Sequence, residues 1–120
     1  MNWKAERKRI RKIAKRWYRP LGLDEWRLTT RYTQGNLIVD GAVSSAAVGM
    51  ASVRWQYREA ELDFNLEKTA KLSDEDLEEV YIHEVMHVLL NEMREEGIEH
   101  EERTAQTLMF AFMRLRGALK

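Results

Sequence analysis

The segment around Tyr81 to Val88 contains His83-Glu84-Val85-Met86-His87 inside a strongly apolar stretch. Two imidazoles four residues apart lie one turn apart on one helix face, so their ring nitrogens can converge on a single tetrahedral Zn2+. Glu84 is rotated about 100° from His83 by the helical period, so it points beside such an ion rather than at it. A carboxylate placed there can work on a metal-bound water, which makes metal-assisted hydrolysis the expected chemistry. His83 and His87 are then metal ligands and Glu84 the catalytic base. The ordinary alternative is a pair of core histidines satisfied by neighbouring carboxylates. That suits a lone histidine better than two at this spacing with a glutamate directly after the first.

These residues need a helix to hold them. Ser73-Asp74-Glu75-Asp76 is a capping-box-like start with acids at the positive end of the helix dipole, and Gly97 is a plausible stop, which predicts a helix from about 74 to 94. Leu77, Val80, Tyr81, Val85, Met86, Val88, Leu89, Leu90 and Met93 make it apolar around much of its circumference. Such a helix is buried on more than one side, and its histidines belong at the floor of a cleft. Asn91, one turn past His87, could orient a ligand or simply cap; Tyr57, Tyr81 and Arg54 are open as oxyanion partners.

A catalytic zinc takes three protein ligands and keeps one position for water. Val88-Leu89-Leu90 after His87 lacks the glycine of the extended motif with a third histidine. Downstream, residues 97 to 112 read as the opening of a second helix with Ala105, Leu108, Met109 and Phe112 facing inward, and His100, Glu101 and Glu102 cluster at its start. Glu102 shares the inward stripe and could be buried, Glu101 lies on the stripe's other edge, and His100 comes before the helix. All three also read as solvated acids and caps at a helix N-terminus. Residue types and spacing leave the third ligand open among them.

The chain resembles the small zincin peptidases: minimal gluzincin-type proteins, phage and prokaryotic metallopeptidase-like proteins and, more distantly, the ImmA/IrrE and SprT-like peptidase domains. The resemblance is carried by His83-Glu84-Val85-Met86-His87 and by Glu102-Arg103-Thr104-Ala105-Gln106-Thr107-Leu108, which is similar to the gluzincin glutamate helix. It implies a zincin-like fold, zinc as cofactor, a peptide or protein substrate and Glu102 as the third ligand. A SprT-like site would use a third histidine in a His-Gly context, and His100 followed by Glu101 departs from that.

At 120 residues and 44% apolar content, one domain spanning residues 1–120 with one modest core is expected. Zero cysteines exclude disulfides and thiolate metal sites, leaving histidine and carboxylate donors. No apolar run is long enough to span a bilayer, and the basic N-terminus leads into no apolar signal region, so the cytoplasm is the expected compartment.

The expected fold class is α+β: an N-terminal helix, a small, mainly antiparallel twisted sheet, the active-site helix and a C-terminal helix bearing the glutamate. Residues 3 to 18 read as a helix with Ile10, Ile13, Ala14 and Trp17 in a stripe, ended by Pro20 and Gly22. Residues 26 to 33 alternate as a half-buried strand, Gln34-Gly35-Asn36 reads as a turn, and Leu37 to Val39 as a short strand or loop. Val53-Trp55-Tyr57 and Ala60-Leu62-Phe64-Leu66 alternate as two paired strands joined near Arg58-Glu59. Ser44 to Met50 is a run of small residues with no firm assignment. One strand should lie exposed beside the active-site helix, where it either accepts a peptide by edge pairing or is guarded by Glu61 and Asp63.

Net charge is zero yet segregated: residues 1 to 20 carry nine Lys or Arg against Glu6, and residues 74 to 102 carry twelve acids against Arg94. The basic helix could contact nucleic acid, though such a run is more often a solvated face. The competing functional classes are a nucleic-acid-associated SprT-like protease and a non-catalytic metal- or protein-binding module.

Overall fold

The computed structural model describes residues 2–92, Gly97 and 101–116. His100, and the end of the central helix expected at 93–94, lie outside the described residues.

Helix α1 (Trp3–Trp17) is capped by the Asn2 side chain, which accepts from the Ala5 N–H, and it buries Glu6, Ile10, Ile13 and Trp17. Gly22, at φ 70°, turns the chain in the left-handed region that suits glycine, so that Leu21 and Leu23 both enter the core. Strand β1 (Arg27–Thr33) follows, then the hairpin β2 (Leu37–Val39) and β3 (Ala42–Ser44). Its two-residue loop is Asp40-Gly41, with φ values of 52° and 81°; positive values at both residues match the tight turn whose twist suits a hairpin. Strands β4 (Gly49–Arg54) and β5 (Glu59–Asn65) complete the sheet, with order β1-β5-β4.

The pairing of β4 with β5 is antiparallel, as the alternation suggests, but β4 stops at Arg54. Trp55–Tyr57 form a 3-10 turn instead of prolonging the strand, and Arg58 closes it at φ 52°. Pairing of β1 with β5 is parallel, with Arg27 opposite Glu59 through Thr33 opposite Asn65. The sheet is therefore mixed, and β5 is its centre. Glu61 and Asp63 consequently stand on the central strand and do not guard an edge. That edge is β4, the run of small residues before it having no strand signature of its own.

After the single turn α2 (Leu66–Thr69), helix α3 (Asp74–Leu89) starts on Ser73, whose hydroxyl accepts from the Asp76 N–H at 3.1 Å. Helix α3 is the spine of the fold. Leu77, Tyr81, Ile82, Val85, Met86 and Val88 are all essentially inaccessible, because the sheet covers one side and α1 and α4 (Glu101–Leu115) cover the others. Phe64 from β5 stacks on Tyr81 with ring centroids 6.0 Å apart. From α4, Ala105 and Met109 are buried in the same core, with Leu108 and Phe112 packed at its margin. Among the described residues no helix is long and apolar enough to cross a membrane.

Candidate metal centre

The helical period puts His83 and His87 on the same face of α3, their ring centroids 4.7 Å apart and nearly perpendicular. Their Nε2 atoms face each other at 3.1 Å. The first turn of α4 delivers a carboxylate to the same point: Glu102 Oε1 lies 2.8 Å from His83 Nε2 and Oε2 lies 3.2 Å from His87 Nε2. Of Glu101 and Glu102, the two downstream donors among the described residues, Glu102 is thus the one grouped with both histidines. Its side chain is 72% exposed, so it is not buried on the inward stripe but reaches the histidines from the rim.

Glu101 has a different place. Its Oε1 lies 2.6 Å from His87 Nδ1 and its side chain is nearly buried. With His87 Nδ1–H donating to this carboxylate, Nε2 of the neutral ring carries the lone pair and is free to ligate. A lone pair on Nε2 then faces the Glu102 Oε2, which also only accepts. Two acceptors at 3.2 Å need a cation or a shared proton between them.

Metal ions supply such charge, and the donor spacing suits one. Ligand distances of about 2.0–2.1 Å in tetrahedral geometry separate ligand atoms by about 3.4 Å; here the two Nε2 atoms are 3.1 Å apart, and one ligand atom from each of His83, His87 and Glu102 lies within 4.8 Å of the others. Two imidazoles and one carboxylate are also an established donor set for a catalytic zinc. His83 lacks an outer bond like that of His87, because its Nδ1 is buried with no partner among the described residues.

Glu84 lies half-buried beside these groups, and burial holds its carboxyl above the ordinary glutamate range, opposed by His87 and His83 and reinforced by Glu102 and Glu101. Strand β4 passes directly over it. A Cβ added at Gly49 would stand 3.2 Å from Glu84 Cγ and 3.1 Å from Phe64 Cε1, so only glycine lets the strand approach this closely. Gly49, Met50 and Ala51 of this edge strand line a cleft of about 410 Å3 together with His83, Glu84, His87 and Glu102.

The other candidates do not reach the site. Tyr81 is buried in the core against Phe64, and burial raises its hydroxyl pKa. Tyr57 is exposed in the turn after β4, and Arg54 lines the far face of the sheet beside Arg27 and Glu59. Asn91 is buried with its Oδ1 unpartnered among the described residues. The small residues Ala46, Ala47 and Gly49 line the cleft although the sequence alone left them unassigned. Their smallness was the available signal.

No family model matches this chain, and neither a curated protein nor a solved structure matches it.

Proposed function

We propose that this chain is a zinc-dependent peptidase in which His83, His87 and Glu102 hold the metal and Glu84 moves the proton. The observation that carries this reading is the convergence of His83, His87 and Glu102, each offering a ligand atom within 4.8 Å of the others, with Glu84 in the same cleft. When bound, zinc polarises a carbonyl and lowers the pKa of a coordinated water toward about 7.

The remaining work falls to the chain itself. Glu84 accepts a proton from the attacking water at a carboxylate oxygen and returns it to the leaving amine, a base that becomes an acid. Partial burial favours both halves of that task, since it brings the affinities of the two states closer together. Glu101 holds His87 in the tautomer that ligates. An extended peptide can pair with the edge of β4 along Gly49 to Ala51, which brings a backbone amide to the cleft without demanding a particular sequence.

Elemental analysis of purified protein tests the first step: about one zinc per chain is expected, lost in His83→Ala and His87→Ala. Glu84→Gln should keep the zinc and lose hydrolysis of a mixed peptide library. Metal-free wild-type protein of intact fold removes the proposal, and zinc-loaded wild type that cleaves nothing leaves a non-catalytic metal-binding module. The exposed Lys4, Lys8, Lys12 and Lys15 of α1 favour a second partner class, nucleic acid. Cleavage rates with and without DNA measure that contribution.

A further inference from the structure

A second cavity, of about 420 Å3, opens beside His83 and Glu84 and follows α3 toward its N-terminus. Leu72, Val80 and Met109 give it apolar walls, Gln106 contributes from α4, and Asp76 and Glu79 stand along its length. Among the described residues no lysine or arginine lines it.

The acids elsewhere on this part of α3 are matched. Asp74 pairs with Arg9, Glu75 with Arg116, and Glu78 with both Arg16 and Arg116. Asp76 and Glu79 have no ion-pair partner among the described residues, although they alternate with the paired acids along the same helix. Burial first, then Asp76 and Glu75 nearby, holds the Glu79 carboxyl above its ordinary range against the opposing charge of Arg116.

From this we infer that the cavity is a specificity pocket for a long cationic side chain, lysine or arginine, at the substrate residue beside the scissile bond. The aliphatic stem lies against Leu72, Val80 and Met109, and the charged head reaches Asp76 and Glu79, as such side chains bury the stem and keep the head polar. The position of the scissile bond rests on the peptidase reading. The preference for cationic residues can be measured by binding alone.

The test uses full-length Glu84→Gln protein, zinc-loaded and metal-free, with fluorescent peptides that differ only in one residue: Lys, Leu or Glu. Lys peptides should bind about fivefold to tenfold tighter than Leu and tighter still than Glu. Glu79→Gln and Asp76→Asn should each reduce the Lys-over-Leu ratio, and Asp76→Lys/Glu79→Lys should invert it toward Glu, with zinc content and helix signal unchanged. Equal binding of the three peptides, no binding of any, or a ratio indifferent to these substitutions overturns the inference. In parallel, wild type should place Lys or Arg consistently on one side of the bonds it cuts. Lys preference in binding without cleavage would leave the pocket standing and remove the peptidase reading, whereas cleavage without Lys preference does the reverse.

Discussion

Glu101 Oε1 sits 2.6 Å from His87 Nδ1, while the adjacent Glu102 reaches Nε2 of the same ring, so consecutive residues of α4 address opposite nitrogens of one histidine. The nearly buried carboxylate orients the ring and the exposed one completes the donor set.

From this division Glu102→Ala should abolish stoichiometric zinc binding at low micromolar metal, whereas Glu101→Ala should weaken it by about 10- to 100-fold, the usual effect of removing an outer partner of a ligating histidine. Competition titration against a chromophoric chelator gives both affinities. A larger loss for Glu101→Ala than for Glu102→Ala would reverse the roles assigned to the two acids.

Gly49 makes a prediction about Glu84, the residue proposed to move the proton. In Gly49→Ala the new methyl meets Phe64 and Glu84, and the Phe64 ring, fully buried and stacked on Tyr81, has no room to retreat. Glu84 must shift by a few tenths of an ångström. Zinc content should be unchanged and kcat should fall by about tenfold, in keeping with the sensitivity of catalysis to small misplacements. Steady-state kinetics with a metal determination on the same sample decides it; full activity in the variant would show that β4 does not confine Glu84.

How much of this was visible before the fold was known follows from the range of each signal. Helix α3, its Ser73 cap and the convergence of His83 with His87 are local consequences of the 3.6-residue period, and they were legible. The edge strand beside that helix was legible in kind but not in identity, because Val53, Trp55 and Tyr57 alternate like a strand whereas the chain leaves the sheet at Arg54. The parallel pairing of β1 with β5 depends on contacts between residues about 32 apart in sequence, such as Arg27 and Glu59, which no local pattern encodes. The Asp40-Gly41 hairpin carried a recognisable turn signal that the more obvious Gln34-Gly35-Asn36 obscured. Helical spacing favoured burial of Glu102, whereas Glu101 is the nearly buried acid against His87 and Glu102 is exposed, a placement set by how α4 packs on α3.

Asp63, on the central strand, predicts a pH dependence of stability. Its carboxyl is buried, and desolvation, helped by neighbouring Glu61 and opposed by Arg31, raises its pKa from 3.8 to about 6. A raised folded-state pKa means that the fold prefers the protonated form. Nothing is lost below the unfolded value near 3.8, and stability then declines as pH rises through about 6. Asp63→Asn keeps the shape and removes the titration, so it should gain roughly 2 kcal/mol over wild type at pH 8 and little at pH 4. Urea midpoints at the two pH values provide the comparison, and an advantage for Asp63→Asn that is larger at pH 4 would contradict the sign.

The last prediction concerns the joint between three helices. Glu78, buried on α3, accepts from the Trp17 indole N–H at 2.7 Å and from Arg16 at 2.8 Å on α1, and from Arg116 at 3.2 Å at the end of α4. Both guanidinium groups are about a third exposed and can turn to water when the acid is removed, but the indole N–H is enclosed. Glu78→Leu should therefore destabilise the fold by about 3 kcal/mol, chiefly through that orphaned donor and the lost charge-assisted bonds. Adding Trp17→Phe removes the donor as well, so the double variant should recover part of the loss, because replacing both partners by apolar groups leaves nothing unsatisfied. Since Arg116 anchors the far end of the helix that carries Glu101 and Glu102, Glu78→Leu should also weaken zinc binding more than it disturbs the secondary-structure signal. A double-mutant cycle by urea unfolding, read beside the zinc affinity of each variant, separates the two effects; strictly additive stabilities would mean that Trp17 and Glu78 do not act as a pair.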